Sequence, residues 1–283
     1  MSAIRPRRSV LYMPSSNARA LEKARTIPAD AIIFDLEDAV APDAKELARE
    51  QACAAVASGA YGRRELTIRC NGLDTPWGEA DLRAAGAAGP AAVVVPKVSG
   101  VAHLEQVVRL LPAGLQVWAM VETPTAVFDV RAIAAHPAVA ALVLGTNDLA
   151  KELRAALVPG RGPLLPHLAT ALLGAREAGK AVLDGVYNDV KDLEGFEAEC
   201  RQGADLGFDG KTVVHPSQVE VANRVWAPSE AEVEHARLVV DAFAQAEREG
   251  KGVVVVEGRM VENLHRDNAL RTLAVAEAVA DLG

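Results

Sequence analysis

The chain has 283 residues, half of them hydrophobic and only 4% aromatic, enough to bury the core of one α/β barrel or of two smaller domains. Its 38 acidic against 30 basic residues give a formal charge of -8, which removes the general electrostatic case for a nucleic-acid partner. Three scattered cysteines argue against a disulfide framework or a thiolate zinc site, and no apolar run spans a bilayer, so a soluble cytoplasmic enzyme without membrane association is expected.

Short Val/Ile/Leu-rich runs alternate along the chain with longer segments of helical period, the pattern of repeated βα units. Strands are expected at 9–13, 31–36, 65–70, 91–97, 115–122, 141–145, 181–186 and 208–214, eight in all. Helices are expected at 17–25, 43–58, 79–88, 103–111, 126–135, 165–178, 193–204 and 218–226. Start signals are Asp43 before Ala-Lys-Glu, Thr123 before Pro124, and Ser217 three residues ahead of Glu220 in capping-box spacing. An eighth strand and the lack of a Gly-x-Gly-x-x-Gly turn after the first favour a closed (β/α)₈ TIM barrel over an open doubly wound sheet. The barrel is assigned to residues 1–227. Beyond Pro228 the rhythm changes to a long helix over 229–249, a break at Gly250-Lys-Gly252, a hairpin of 253–256 against 260–261, and a helix over 265–282. Residues 228–283 therefore read as a helix-hairpin-helix appendage that covers a barrel mouth or a neighbouring subunit.

Two apolar runs end in carboxylates, Glu122 after Leu115-Gln-Val-Trp-Ala-Met-Val and Asp148 after Ala141-Leu-Val-Leu-Gly-Thr-Asn. Two hard oxygen ligands at strand C-terminal ends suit Mg²⁺, or Mn²⁺; the competing reading is a pair of helix N-caps. The residues at the C-terminal ends of the eight strands weigh between them: Pro14, Ser15 and Ser16; Asp35, Glu37 and Asp38; Arg69 and Asn71; Lys97; Glu122; Asn147 and Asp148; Asp184; His215. So much acidic charge on one rim needs a cation, and a divalent ion with Arg69 and Lys97 would supply it. Lys97 as a Schiff-base amine is disfavoured because carboxylates around it would keep it protonated. His215 could be a base or a hydrogen-bonded structural residue, and Asp184 and Lys211 are open. Asp35 divides evenly between a structural role and a role in the site.

The motifs Arg8-Ser-Val-Leu-Tyr-Met-Pro14, Asp35-Leu-Glu-Asp-Ala-Val40, Ile68-Arg-Cys-Asn-Gly72, Val95-Pro-Lys97, Val121-Glu-Thr123, Gly145 to Leu149, Gly207-Phe-Asp-Gly-Lys211 and His215-Pro-Ser-Gln218 occur in one order nearly end to end. In that order and spacing the chain resembles the citrate lyase β-subunit-like proteins of the HpcH/HpaI aldolase superfamily, which also contains malyl-CoA and citramalyl-CoA lyases. The resemblance implies a Mg²⁺-dependent carbon-carbon lyase that splits a 3-hydroxyacyl thioester of citryl, citramalyl or malyl type into a 2-keto acid, such as oxaloacetate, and an acetyl thioester. It implies a trimer or a dimer of trimers. It makes Glu122 and Asp148 the metal ligands and Arg69 the residue that holds the substrate's oxygen atoms. Glu37 and Asp38 become the acidic pair near the metal's water shell, and the Gly145, Thr146 and Asn147 backbone becomes the keto-acid carboxylate site. Where the family's lyases carry a catalytic aspartate in Gly-Lys-Met-Ile-Asp, this chain has Gly258-Arg-Met-Val-Glu262, so Glu262 would protonate the enolate with a side chain one methylene longer. Two other readings accompany the acyl-CoA lyase: a citrate lyase β subunit acting on an acyl-carrier-protein thioester, and a non-catalytic assembly subunit, against which intact Arg69, Glu122 and Asp148 argue.

Overall fold

The computed structural model describes residues 4–248 and 254–282. Eight parallel strands close into a barrel in chain order, each pairing with its neighbour and the last with the first. They are β1 (Ser9–Pro14), β2 (Ala31–Asp35), β3 (Glu65–Arg69), β4 (Ala92–Val95), β5 (Gln116–Val121), β6 (Val139–Leu144), β7 (Ala181–Asp184) and β8 (Gly210–Val213). Around them run α1 (Ala18–Ala24), α2 (Lys45–Ala57), α3 (Gly78–Ala88), α4 (Val101–Val108), α5 (Pro124–Phe128), α6 (Val130–Ala135), α7 (Thr146–Leu153), α8 (Leu165–Glu177), α9 (Leu193–Leu206) and α10 (Val219–Val225). Buried strands that face helices outside and side chains inside need apolar residues on both faces, which is why these runs are continuous rather than alternating. Their parity still matters. Val10, Ala31, Ile33, Ala92, Val94, Trp118, Met120, Ala141, Val143 and Leu183 form one interior cluster, with Tyr12 packed on it. Continuing that parity two residues toward the C-terminal rim carries Asp35 on from Ile33 and Glu122 on from Met120.

Every expected strand is present, with ends shifted by a few residues. The expected helix over 126–135 is two helices, α5 and α6, divided at Asp129, whose ψ of 3° leaves the helical range. One helix has no counterpart among the expected elements: α7 begins at the end of the segment expected as the sixth strand. Thr123 caps α5 as its sequence suggests, accepting from the Ala126 amide at 3.1 Å with Pro124 next. The other two start signals fail. Asp43 lies inside a 3₁₀ turn, Pro42–Ala44, and the cap position of α2 is Ala44 with no side-chain bond. The capping box near residue 217 is built by His215 and Gln218, not by Ser217 and Glu220: His215 Nδ1 accepts from the Ser217 amide at 3.2 Å and Gln218 Oε1 from the His215 amide at 3.2 Å.

The chain divides into two compact units, Arg7–Arg224 and a second made of Met1–Pro6 with Val225–Gly283. The second contains α11 (Glu230–Arg248), an antiparallel hairpin of β9 (Val254–Val256) and β10 (Arg259–Val261), and α12 (Asn263–Leu282). Ala236, Val239 and Phe243 of α11 bury against Val256, Val261 and Ala269, so the helix-hairpin-helix has an apolar core of its own. The expected break at 250–252 and the hairpin residue Val253 lie outside the described residues. Among the described residues no helix is long and apolar enough to cross a membrane.

Candidate active site

A cavity of about 430 Å³ opens at the C-terminal end of the barrel, lined among others by Tyr12, Asp35, Arg69, Glu122, Thr146 and Asp148. In a (β/α)₈ barrel this is the face from which strand ends and βα loops present reactive groups. Arg69, the last residue of β3, is fixed from three sides. Its Nε and Nη2 donate to Asp35 Oδ1 and Oδ2 at 2.6 and 2.7 Å, a bidentate fork, while Nη1 lies 2.9 Å from Glu37 Oε2 and 3.2 Å from Asp38 Oδ2. The guanidinium also sits 4.8 Å from the centre of the Tyr12 ring. Asp35 is almost fully buried and accepts from the Glu37 and Ala39 amides at 2.9 and 3.1 Å, so the same carboxylate shapes the turn and aims the arginine. The hydrogen bonds of the structural reading are thus present, and the same carboxylate lines the cavity. Asp35 uses only one Nη2 proton, and Asp38 is exposed, so Arg69 retains donors for a ligand's oxygen.

Across the cavity Glu122 is buried, with Oε1 accepting from the Lys97 amide at 2.6 Å. Lys97 holds a left-handed φ of 48°, a conformation uncommon outside glycine. Burial pushes Glu122 up to about 7, against the pull of the Lys97 amide and with the charge of Asp148 adding to the rise. Burial likewise pushes Glu37 up to about 8; Arg69 opposes this, and Asp38, Glu122 and Asp35 reinforce it. Lys97 is raised as well, but by charge: burial opposes its ammonium, and Glu37, Asp148, Glu122 and Asp38 outweigh that and lift it above an ordinary lysine. An amine that holds its proton more tightly is a poorer Schiff-base nucleophile.

Asp148 is not at a strand end. β6 stops at Leu144, Gly145 turns the chain, and Asp148 stands in the first turn of α7. A Cβ at Gly145 would collide with the Glu122 side chain, so a glycine at this turn leaves room for the carboxylate. With Gly145 as the cap residue, the Thr146 and Asn147 amides open the N-terminus of α7 at the cavity wall, a setting that favours anions. The Asn147 side chain is paired with Asn188, each amide donating to the other at 3.1 and 2.8 Å.

Other rim candidates lie outside the cavity lining. Leu183 faces the barrel interior, so Asp184 faces outward, where it accepts from Arg161 Nη1 at 2.6 and 2.9 Å and from Lys211 Nζ at 3.0 Å. His215 caps a turn. Glu262, between β10 and α12 in the second unit, is exposed, and its backbone carbonyl starts the helix by accepting from the His265 and Arg266 amides. Tyr12, Asn188 and Arg161 are site or support residues that the sequence does not single out. Tyr12 is recoverable, because it sits inside a motif and on the interior parity of β1. Arg161 and Asn188 lie in connecting loops that carry no period.

The donor set can be weighed against the needs of a divalent cation. Glu122 and Asp148 are two hard carboxylates close enough to repel, and among the described residues no group of three or more His, Cys, Asp or Glu is arranged to hold a metal. That set fits Mg²⁺, which is commonly held by one or two carboxylates with water and substrate oxygens completing its octahedron.

A closed barrel with an arginine-carboxylate cluster at its mouth defines a class of enzyme rather than one reaction. The sequence profile of the HpcH/HpaI aldolase/citrate lyase family matches residues 8–216, and this chain belongs to that family of lyases. It is 52% identical over 275 residues to (3S)-malyl-CoA thioesterase of Cereibacter sphaeroides, spanning 97% of this chain and 96% of that protein. It is 35% identical over 284 residues to citrate lyase subunit beta of Escherichia coli, spanning 96% and 94%. Among solved structures it resembles CitE of Mycobacterium tuberculosis in complex with magnesium, acetoacetate and coenzyme A, at 29% identity and a TM-score of 0.78 over 98% of this chain and all of that one.

Proposed function

We propose that this chain is a Mg²⁺-dependent carbon-carbon lyase that cleaves a 3-hydroxyacyl-CoA thioester of malyl type to a 2-keto acid and acetyl-CoA. The observation that carries the reading is that Arg69, held by Asp35, faces the same cavity as Glu122 and Asp148. Magnesium and coenzyme A in the M. tuberculosis relative, and the malyl-CoA named for the C. sphaeroides relative, support the substrate class.

Glu122 and Asp148 would hold the metal. When bound, Mg²⁺ supplies a Lewis acid that favours the anionic form of a neighbouring substrate oxygen. Arg69 would donate to the oxygen that passes from hydroxyl to carbonyl, with its orientation set beforehand by the Asp35 fork, so little reorganisation accompanies the change in charge. The Thr146 and Asn147 amides, beside Gly145, would hold the keto-acid carboxylate at the helix N-terminus. Glu37 and Asp38 would orient water around the site, and the proton lost from the substrate hydroxyl as the carbon-carbon bond breaks would pass to that water. The departing acetyl thioester leaves as an enolate whose carbon needs a proton, and Glu262 would deliver it from the appendage of a neighbouring subunit, in a trimer or a dimer of trimers.

Two other readings each have an observation behind them. The 52% identity to a thioesterase favours hydrolysis of the same thioester to malate and free CoA, and the similarity to citrate lyase subunit beta favours an acyl-carrier-protein thioester. Purified protein assayed with malyl-, citramalyl- and citryl-CoA, with Mg²⁺ and with chelator, tests the proposal. Turnover of malyl-CoA that requires Mg²⁺ is the expected result; turnover unaffected by chelator, or confined to carrier-protein thioesters, would count against it.

A further inference from the structure

Lys45 opens α2, a position where a lysine side chain would ordinarily extend into water, yet it is only 6% exposed. Its Nζ turns back over the loop after β2 and donates to Leu36 O at 2.8 Å, Glu37 O at 2.7 Å and Asn71 Oδ1 at 2.8 Å, which uses all three ammonium protons. The Trp77 ring closes the site, its centre 5.3 Å from Nζ. Asn71 is itself anchored, its Nδ2 donating to Leu36 O at 2.9 Å and to Asp81 Oδ2 at 2.6 Å, and Arg49 Nε holds the other Asp81 oxygen at 2.7 Å. The loop so gripped carries Glu37 and Asp38, and Asn71 stands two residues beyond Arg69.

Resting on the site proposed above, we infer that Lys45 is a positioning residue: through two backbone carbonyls and Asn71 it sets the loop carrying Glu37 and Asp38 in register with the strand end carrying Arg69. Lys45 does not line the cavity, so whatever it contributes passes through that loop. Strand pairing does not depend on it, since β2 and β3 are joined by their own ladder from Ala31 and Glu65 to Asp35 and Arg69. Replacing Lys45 leaves two backbone carbonyls and one amide oxygen short of a charged donor, and each such bond is worth on the order of 1.5–3 kcal/mol, or roughly 10- to 100-fold in a local opening equilibrium.

The test compares wild type with Lys45→Met and Lys45→Arg by backbone hydrogen exchange and by steady-state kinetics. In Lys45→Met the amides of Glu37 and Ala39, which donate to Asp35, are expected to exchange at least about tenfold faster, with kcat lowered about 10- to 100-fold and KM changed less than about threefold. Lys45→Arg, whose planar fork is not interchangeable with a single ammonium bonded to three acceptors, should shift both readouts in the same direction by less, and it serves if the methionine variant does not fold. Unchanged exchange at Glu37 and Ala39, with kcat within about twofold of wild type and only the melting temperature lowered, would overturn the inference. The exchange experiment needs no substrate, so an inactive wild type would defeat the functional reading while leaving this result standing.

Discussion

Glu122 occupies the space that a side chain at Gly145 would fill. The last residue of the β5 run and the first residue after β6 are therefore chosen together: the glycine admits the carboxylate, and the carboxylate stands beside the turn that opens α7. Gly145→Ala should keep the barrel, since Gly145 has no left-handed φ to defend, but displace Glu122. We expect Mg²⁺ affinity to fall at least about tenfold and turnover by about 10²-fold, because displacements of about 1 Å at reacting groups cost that much. Calorimetric Mg²⁺ titration beside the assay checks this, and an unchanged Mg²⁺ affinity would refute the coupling.

The Arg69–Asp35 fork supplies a second prediction. Asp35→Asn keeps the shape but removes the buried, bidentate partner of the guanidinium and leaves only Glu37 and the exposed Asp38 beside it, a loss on the order of 3 kcal/mol in stability. Arg69→Lys keeps the charge and loses the fork. Both should lower kcat by about 10²-fold or more, while only Asp35→Asn markedly lowers the midpoint of urea unfolding. A fully active Arg69→Lys variant would show that a point charge suffices.

Asp184 should make stability pH-dependent. It is fully buried, and although burial opposes its charge, Lys211 and Arg161 hold its carboxyl below the ordinary aspartate value. A depressed folded value means that its contribution is complete above the unfolded pKa of about 3.9 and is lost as pH falls through the lower folded value. Asp184→Asn should therefore be less stable than wild type at pH 7 by about 3–5 kcal/mol, with the gap narrowing only below about pH 4. Denaturation series at several pH values test it, and a gap that widened on acidification would contradict the assignment.

Glu262 is expected to act on the enolate and not on metal binding. Glu262→Ala should abolish exchange of the acetyl-CoA methyl protons with solvent deuterium while leaving Mg²⁺ affinity unchanged, and Glu262→Asp should keep part of the exchange. Full exchange in the alanine variant would place the proton donor elsewhere.

The barrel is legible in the sequence because eight buried runs alternate with amphipathic helices, and interior parity carries Asp35 and Glu122 to the mouth. What stays hidden has physical causes. α7 reads as the end of a strand because Gly145-Thr-Asn-Asp148 directly follows an apolar run; the glycine at its cap makes room for the side chain of Glu122, 23 positions before Gly145 in the chain. Asp184 looks like a rim carboxylate until parity turns it outward to Arg161, whose loop has no pattern to read. Lys45 carries no signal of burial in the expected helix over 43–58, and only the tertiary placement of Asn71 gives it a third acceptor, away from the loop after β2.

The central claim is that the bond broken is carbon to carbon. Malyl-CoA should be given to wild-type protein and to Glu122→Gln in the presence of Mg²⁺, with glyoxylate, acetyl-CoA, malate and free CoA thiol all quantified. The account predicts glyoxylate and acetyl-CoA in equal amounts from wild type, and neither from the variant. Malate and free thiol without glyoxylate would contradict it and make the chain a hydrolase of the same thioester.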